Sequence, residues 1–259
     1  MTDEAHDAMA RLSRLAGPAE WRAAALALAI EPASSAAVAA WAAETREVAH
    51  ADALLADVRR VADAARLPAL DAMLCRLGRQ PKPERRLLLQ SARRLMAAHA
   101  PRRPLDRLHW LLMRRRLGDA PPGPAWPASM QEFADLPEPT LLHIARVTAY
   151  LSRMVPGRDA TAARAWYADA MRRLLPHAGV PDLVAPDGDG FVHALEHAQA
   201  LPWMLRPVLV RAWVDAAGAT SLRARLPAGA ADALRLVAAL LDCPLPPDLA
   251  RHYVEVDWR

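Results

Sequence analysis

Apolar positions recur at helical spacing along almost the whole chain, interrupted at short intervals by proline or glycine. Leu87, Leu88, Ala92, Leu95 and Met96 fall on one side of a helix. Trp21, Ala24, Ala25 and Leu28 do the same before them, and Leu142, Ile144, Ala145, Val147 and Leu151 after them. Within Arg66 to Gly118, Pro68, Pro83 and Pro104 are each placed to open a helix, because a proline at the first helical position gives up only an N–H that has no partner. Gly118 is placed to stop the last of the three. Upstream, the pattern predicts a weakly amphipathic helix over Thr2 to Ala16 and a second that stops at Pro32. Ser34 or Ser35 then caps a third, which runs through Val38, Trp41, Val48, Leu54, Leu55, Val58 and Val61 to about Ala65 with a break near His50. Downstream, Pro139 opens a helix to Met154, Asp159 or Thr161 caps one through Trp166 and Met171, and Asp189 caps one holding Phe191, Leu195 and Ala198. Val208 to Ala217 follows, ended by Gly218, then Ala230 to Leu241 and an ordered tail from Leu241 to Tyr253.

The fold class that follows is all-α. Residues that favour a pleated surface, Ile, Thr, Tyr and Phe, are scarce, while Ala and Leu dominate. Six prolines crowd Asp119 to Pro139, a composition that cannot form one helix and that marks a linker or strap, with Trp126 as a candidate pin. The predicted organisation is therefore an N-terminal helical lobe at 1–118, a proline-rich linker at 119–138 and a C-terminal helical lobe at 139–259. Pro83 stands sixteen residues before His99, and Pro202 sixteen before Gly218, each with an apolar helix between. That spacing suggests a degenerate internal repeat, one copy in each lobe.

Cys75 and Cys243 are the only cysteines, which favours a reducing, cytoplasmic setting and buried, inert thiols over a disulfide. The first residues are charged and carry no apolar core of a secretory signal. The longest apolar runs, Ala23 to Ile30 and Ala36 to Ala43, fall far short of the ~20 residues a membrane helix needs. Charge is unevenly spread: Arg79 to Arg116 holds twelve basic residues against Glu84 and Asp106, a local balance of +10 in a chain of net +4. Arg85, Arg86, Arg93, Arg94, Arg102, Arg103, Arg107, Arg114, Arg115 and Arg116 are the candidate contacts for an anionic membrane surface, nucleic acid or an acidic partner, or else form a solvated face neutralised within the fold. Trp110 is the one aromatic in that segment, so a nucleic acid would be held by its backbone.

Two further patterns carry candidate chemistry. His193-Ala-Leu-Glu196-His197 has the HxxEH order in which two imidazoles four apart on a helix share a zinc and the glutamate polarises a water. A third ligand is sought downstream, among Asp215, Asp232, Asp242 and Glu255. Asp187-Gly-Asp189-Gly190 has the look of a calcium loop but lacks the later ligands, so a turn with a helix cap is the simpler reading. Trp203 and Trp213 lie beside a turn and read either as helix core or as a candidate partner groove. Neither a phosphate-binding glycine loop nor a nucleophile triad is present.

RLPALDAMLCRL followed by PERRLLLQSARRLMAAHA, and RPVLVRAW followed by DALRLVAALLDCPLPP, resemble the soluble C-terminal region of bacterial membrane zinc metallopeptidases of the HtpX and CAAX-protease class. ALALAI, Ala25 to Ile30, is similar to the segment preceding that region, so the resemblance spans about Trp21 to Tyr253. The repeated unit is similar to the TerB-like helical domain of tellurite resistance. This chain lacks the transmembrane helices and HExxH motif of those peptidases. It also has His99, Ala100 and Asp106 in one copy, and Gly218 and Ala230 in the other, where TerB-like units carry Asp-Gly and Glu. The resemblance implies a non-catalytic helical adaptor or regulatory module that binds another protein and needs no cofactor. The alternatives are a zinc-dependent hydrolase on His193, Glu196 and His197, and a binder of anionic surfaces or nucleic acid through residues 79–116.

Overall fold

A computed structural model gives the architecture for residues 3–31, 33–98, 103–118, 132–157, 159–177, 179–220, 226–256 and 258. Among these the chain is all-helical, with thirteen α-helices, one 3₁₀ turn at Phe133–Asp135 and no strand. It divides into two compact units: Met1–Ala120 with Tyr253–Arg259, and Pro121–His252. The last seven residues therefore belong to the first unit, not to a C-terminal lobe running to 259. His99, Ala100 and Arg102, and linker residues 119–131 with Trp126, lie outside the described residues.

The first unit contains α1 (Asp3–Ser13), α2 (Pro18–Ala29), α3 (Ser35–Thr45), α4 (Ala51–Arg60), α5 (Asp63–Leu77), α6 (Lys82–Ala97) and α7 (Pro104–Leu117). Its centre is α2, buried without a break from Ala23 to Ala29 and packed by α3, α4, α5 and α6. A helix that is apolar all round has to be enclosed. Small alanines let the neighbours approach closely, and the Trp41 indole N–H donates to the Ala23 carbonyl at 2.9 Å. Arg66 closes the far end, donating to the Ala27 and Ile30 carbonyls at 2.8 and 2.9 Å, a cation where a helix C-terminus leaves acceptors unpaired.

The predicted punctuation holds at Pro83 and Pro104, which sit in the first turns of α6 and α7, and at Gly118, where a Cβ would collide with the Arg114 carbonyl. Ser34 and Asp159 are the caps of their helices, and His50, at φ 58°, makes the break before α4. Pro68 is a correction: it lies inside α5 rather than at its start. A proline there leaves the carbonyl four residues back without its helical donor. That carbonyl, on Ala64, instead accepts from the Val254 amide at 3.0 Å.

The second unit contains α8 (Glu138–Leu151), α9 (Ala160–Leu174), α10 (Gly188–Ala200), α11 (Leu205–Thr220), α12 (Ala228–Leu240) and α13 (Pro247–Ala250). Helix α8 lies against α10 and α9, α9 against α11, and α11 against α12. The core gathers Trp166, Trp213 and Phe191, all fully buried, with Tyr150 stacked on Phe191 at 3.9 Å between ring centroids. Trp213 donates to the Thr148 hydroxyl at 3.0 Å, and that hydroxyl donates back to Ile144. Arg206 reaches the Leu201 and Leu241 carbonyls just past the ends of α10 and α12. Two expectations change here. Gly218 lies within α11 and does not end it. The cap of α10 is Asp187, which accepts from Gly190 N at 2.7 Å, so the Asp187 to Gly190 segment is a helix start and not a calcium loop. No described helix is long and apolar enough to cross a membrane.

Candidate metal centre

Helix α10 buries Phe191, Ala194, Leu195 and Ala198 against the unit's core. At 100° per residue, His193 and His197 project together from one flank of that stripe. Helix α8, which buries Ile144, Ala145, Val147 and Thr148, carries His143 on its own flank. Because α8 packs along α10, the three rings meet. One nitrogen from each of His143, His193 and His197 lies within 4.8 Å of the others. The rings of His143 and His197 stack with centroids 3.9 Å apart and planes within 1°. His193 stands edge-on to both, at 5.0 Å from His143 and 4.7 Å from His197, with 79° between planes.

The cluster is graded from inside to outside. His143 and His197 are half-buried and His193 is exposed, so one side opens to water. Nδ1 of His143 is buried and makes no hydrogen bond. Burial pushes the His143 imidazole down to about 4, helped by the neighbouring charges of His197, His193 and Arg146. It is therefore neutral at pH 7, the form in which an imidazole offers a lone pair to a metal. Glu196, on the same helix, is exposed.

The pair read from HxxEH is thus joined by a third imidazole, and it comes from upstream. His143 escaped the sequence reading because helix pairing is not written in spacing along one helix. The available signal was a histidine breaking the apolar run TLLHIARV on a helix of the same lobe.

The other candidates fall differently. Arg94 pairs with Glu44, Arg103 with Glu31 and Asp106, and Arg116 with Asp71, while Arg85 donates to the Leu117 carbonyl at 2.7 Å. Arg107 and Arg115 are half-buried, and Arg86, Arg93 and Arg114 are exposed. Three of the twelve basic residues are thus matched by acids from outside the segment, Glu44, Glu31 and Asp71. Trp203 and Trp213 do not share a groove: Trp203 is 76% exposed and Trp213 is fully buried. Cys75, expected inside, is exposed, with its thiol pushed up by partial burial, and Cys243 is half-buried and pushed up to about 11 by the same cause. Neither is a thiolate at neutral pH.

Comparison with protein-family models, with curated proteins and with solved structures finds no match to this chain. What defines it is an all-helical fold carrying a tri-imidazole cluster in its second unit, and the functional reading rests on that geometry.

Proposed function

We propose that the second unit is a transition-metal-binding module holding one zinc-class divalent ion through His143, His193 and His197. The observation that carries this is the convergence of three imidazoles from two separate helices, one of them with an orphaned buried nitrogen. A Lewis acid shared by the three imidazoles gives each lone pair an acceptor, and the buried Nδ1 of His143 has no hydrogen-bond partner of its own. Nitrogen ligands of this type suit zinc, copper or nickel and not calcium or magnesium. A tetrahedral ion about 2.0–2.1 Å from each nitrogen sets neighbouring nitrogens about 3.3 Å apart, so the cluster closes inward on binding. An imidazole donates its lone pair in the ring plane, so His143 and His197 cannot both aim at one ion while parallel. One of them turns as the ion enters. Titration of chelator-stripped full-length protein with zinc in a calorimeter is the test. One ion per chain is expected, with affinity falling on the order of 100-fold or more in His143→Ala and in His197→Ala. Binding that survives His143→Ala sinks the three-ligand centre.

The adaptor reading retains one favourable observation. Trp203, Met204 and Val208, at 76%, 56% and 51% exposed, are large apolar side chains within six residues of one another in sequence. Exposed aromatic and thioether side chains together are typical of surfaces covered by a partner. Capture from the native host, with Trp203→Ala as control, addresses it: a protein held by the natural chain and lost by the variant supports an adaptor, and an unchanged set does not.

A further inference from the structure

The ligand set is electrically neutral. Three imidazoles hold the ion without a carboxylate among them, so the centre keeps its full double positive charge. Three protein ligands also leave one tetrahedral position, which is the arrangement of sites that bind something besides the protein. Of the three ligands His193 is exposed and the other two are half-buried, so the cluster is reached by water from the His193 side.

A second cation stands beside it. Arg146 follows His143 by three residues on α8, which places the two side chains as neighbours on one helix face. Arg146 is exposed, and its positive charge is felt at the His143 ring. A guanidinium presents a fork of donors that matches the paired oxygens of a carboxylate or phosphate. Two exposed acids accompany the histidines on α10, Asp189 one turn before His193 and Glu196 beside His197, and their two negative charges stand against the three positive charges of a divalent ion and Arg146.

We propose that the open position of the His143–His193–His197 centre takes an oxyanion, a carboxylate or phosphate group, with one oxygen on the metal and another held by Arg146. This rests on the metal-binding reading above and gives that site its ligand class. The ion supplies the charge and Arg146 the directional contact, so the two together hold the anion more tightly than the ion alone.

The test uses full-length protein loaded with cobalt(II), whose visible absorption responds to a change of ligand, titrated separately with inorganic phosphate and with acetate. The natural chain is expected to show a saturable spectral change with at least one of them. Tighter phosphate assigns a phosphoryl ligand, and tighter acetate a carboxylate one. Arg146→Gln is expected to bind cobalt as well as the natural chain or better, since a neighbouring cation is gone, and to weaken anion binding by about tenfold or more. Arg146→Lys, which keeps the charge and loses the fork, falls between the two. Equal anion affinity in Arg146→Gln overturns the proposal, as does a cobalt spectrum indifferent to both anions. Failure of the natural chain to take up cobalt at all is a separate result, which removes the metal centre itself.

Discussion

His109 of α7 is enclosed in the first unit with its Nδ1 unpaired. Burial pushes its imidazole down to about 4, the positive charges of Arg103 and Arg66 act the same way, and Asp106 opposes them. The side chain is therefore neutral in the fold down to about pH 4, while in the unfolded chain it takes a proton near 6.5. Between those values the unfolded state binds the extra proton, so stability falls as pH drops from about 6.5 toward 4 and is level above. The full effect is on the order of 3 kcal/mol. His143 has the same direction, so the measurement that isolates His109 is the difference between the natural chain and His109→Leu in urea midpoint at pH 7 and pH 5. The variant is expected to lose less stability on acidification; an equal loss in both means His109 is not held neutral. At this scale the sequence was readable where a residue acts on its own helix, as with Ser34, Asp159 and the pair His193 and His197. It was unreadable where a partner comes from another helix. His143 is one case, Trp213 buried on Thr148 is another, and Arg94, Arg103 and Arg116 found their acids at Glu44, Glu31 and Asp71.

Proline and glycine set most element ends correctly, and the exceptions share a cause. Pro68 inside α5 and Gly218 inside α11 are local costs absorbed by packing of the whole helix, α5 against α2 and α7 and α11 against α9 and α12. For Pro68 the contact is identifiable: Val254 N supplies Ala64 with the hydrogen bond the proline cannot. This predicts a coupling. Removing residues 253–259 leaves the Ala64 carbonyl without that donor, and it also removes the bond from Arg76 to the Trp258 carbonyl. In a Pro68→Ala background the new amide at position 68 can take the Ala64 carbonyl, so the same truncation is expected to cost about 1 kcal/mol less. Urea unfolding of the four proteins in this cycle measures it, and additive losses mean the carbonyl gains nothing from Val254. A second prediction concerns α2. Arg66 also reaches the Val58 carbonyl at 3.4 Å from its other terminal nitrogen, so the single nitrogen of Arg66→Lys cannot keep all three contacts, and the change is expected to destabilise the first unit by about 1–2 kcal/mol despite keeping the charge. Loss below a few tenths of that would mean water replaces the guanidinium at no cost.

The helical class was legible from composition and period, because an Ala- and Leu-rich chain with few β-branched residues has no other way to pair its backbone. The course of the final residues was not, since return of residues 253–259 to the first unit rests on the Val254 amide finding the Ala64 carbonyl and on Arg76 finding the Trp258 carbonyl, both far away in sequence. The division into two units gives the metal reading a consequence that a stability measurement on the whole chain would blur. All three imidazoles belong to the second unit, on α8 and α10. An ion bound only by the folded form stabilises by RT ln(1 + [L]/Kd), about 2.7 kcal/mol at one hundred times Kd. That gain applies to any opening that separates α8 from α10, because such an opening breaks the ligand set. Openings confined to α2 and α5 leave the three ligands together and gain nothing. Amide hydrogen exchange with and without saturating zinc separates the two cases. Protection on α8 and α10 is expected to rise by about a hundredfold, while protection on α2 and α5 stays unchanged. A rise spread evenly over both units would indicate that zinc acts on the chain elsewhere, and an unchanged α8 would place the ion on the two α10 histidines without His143.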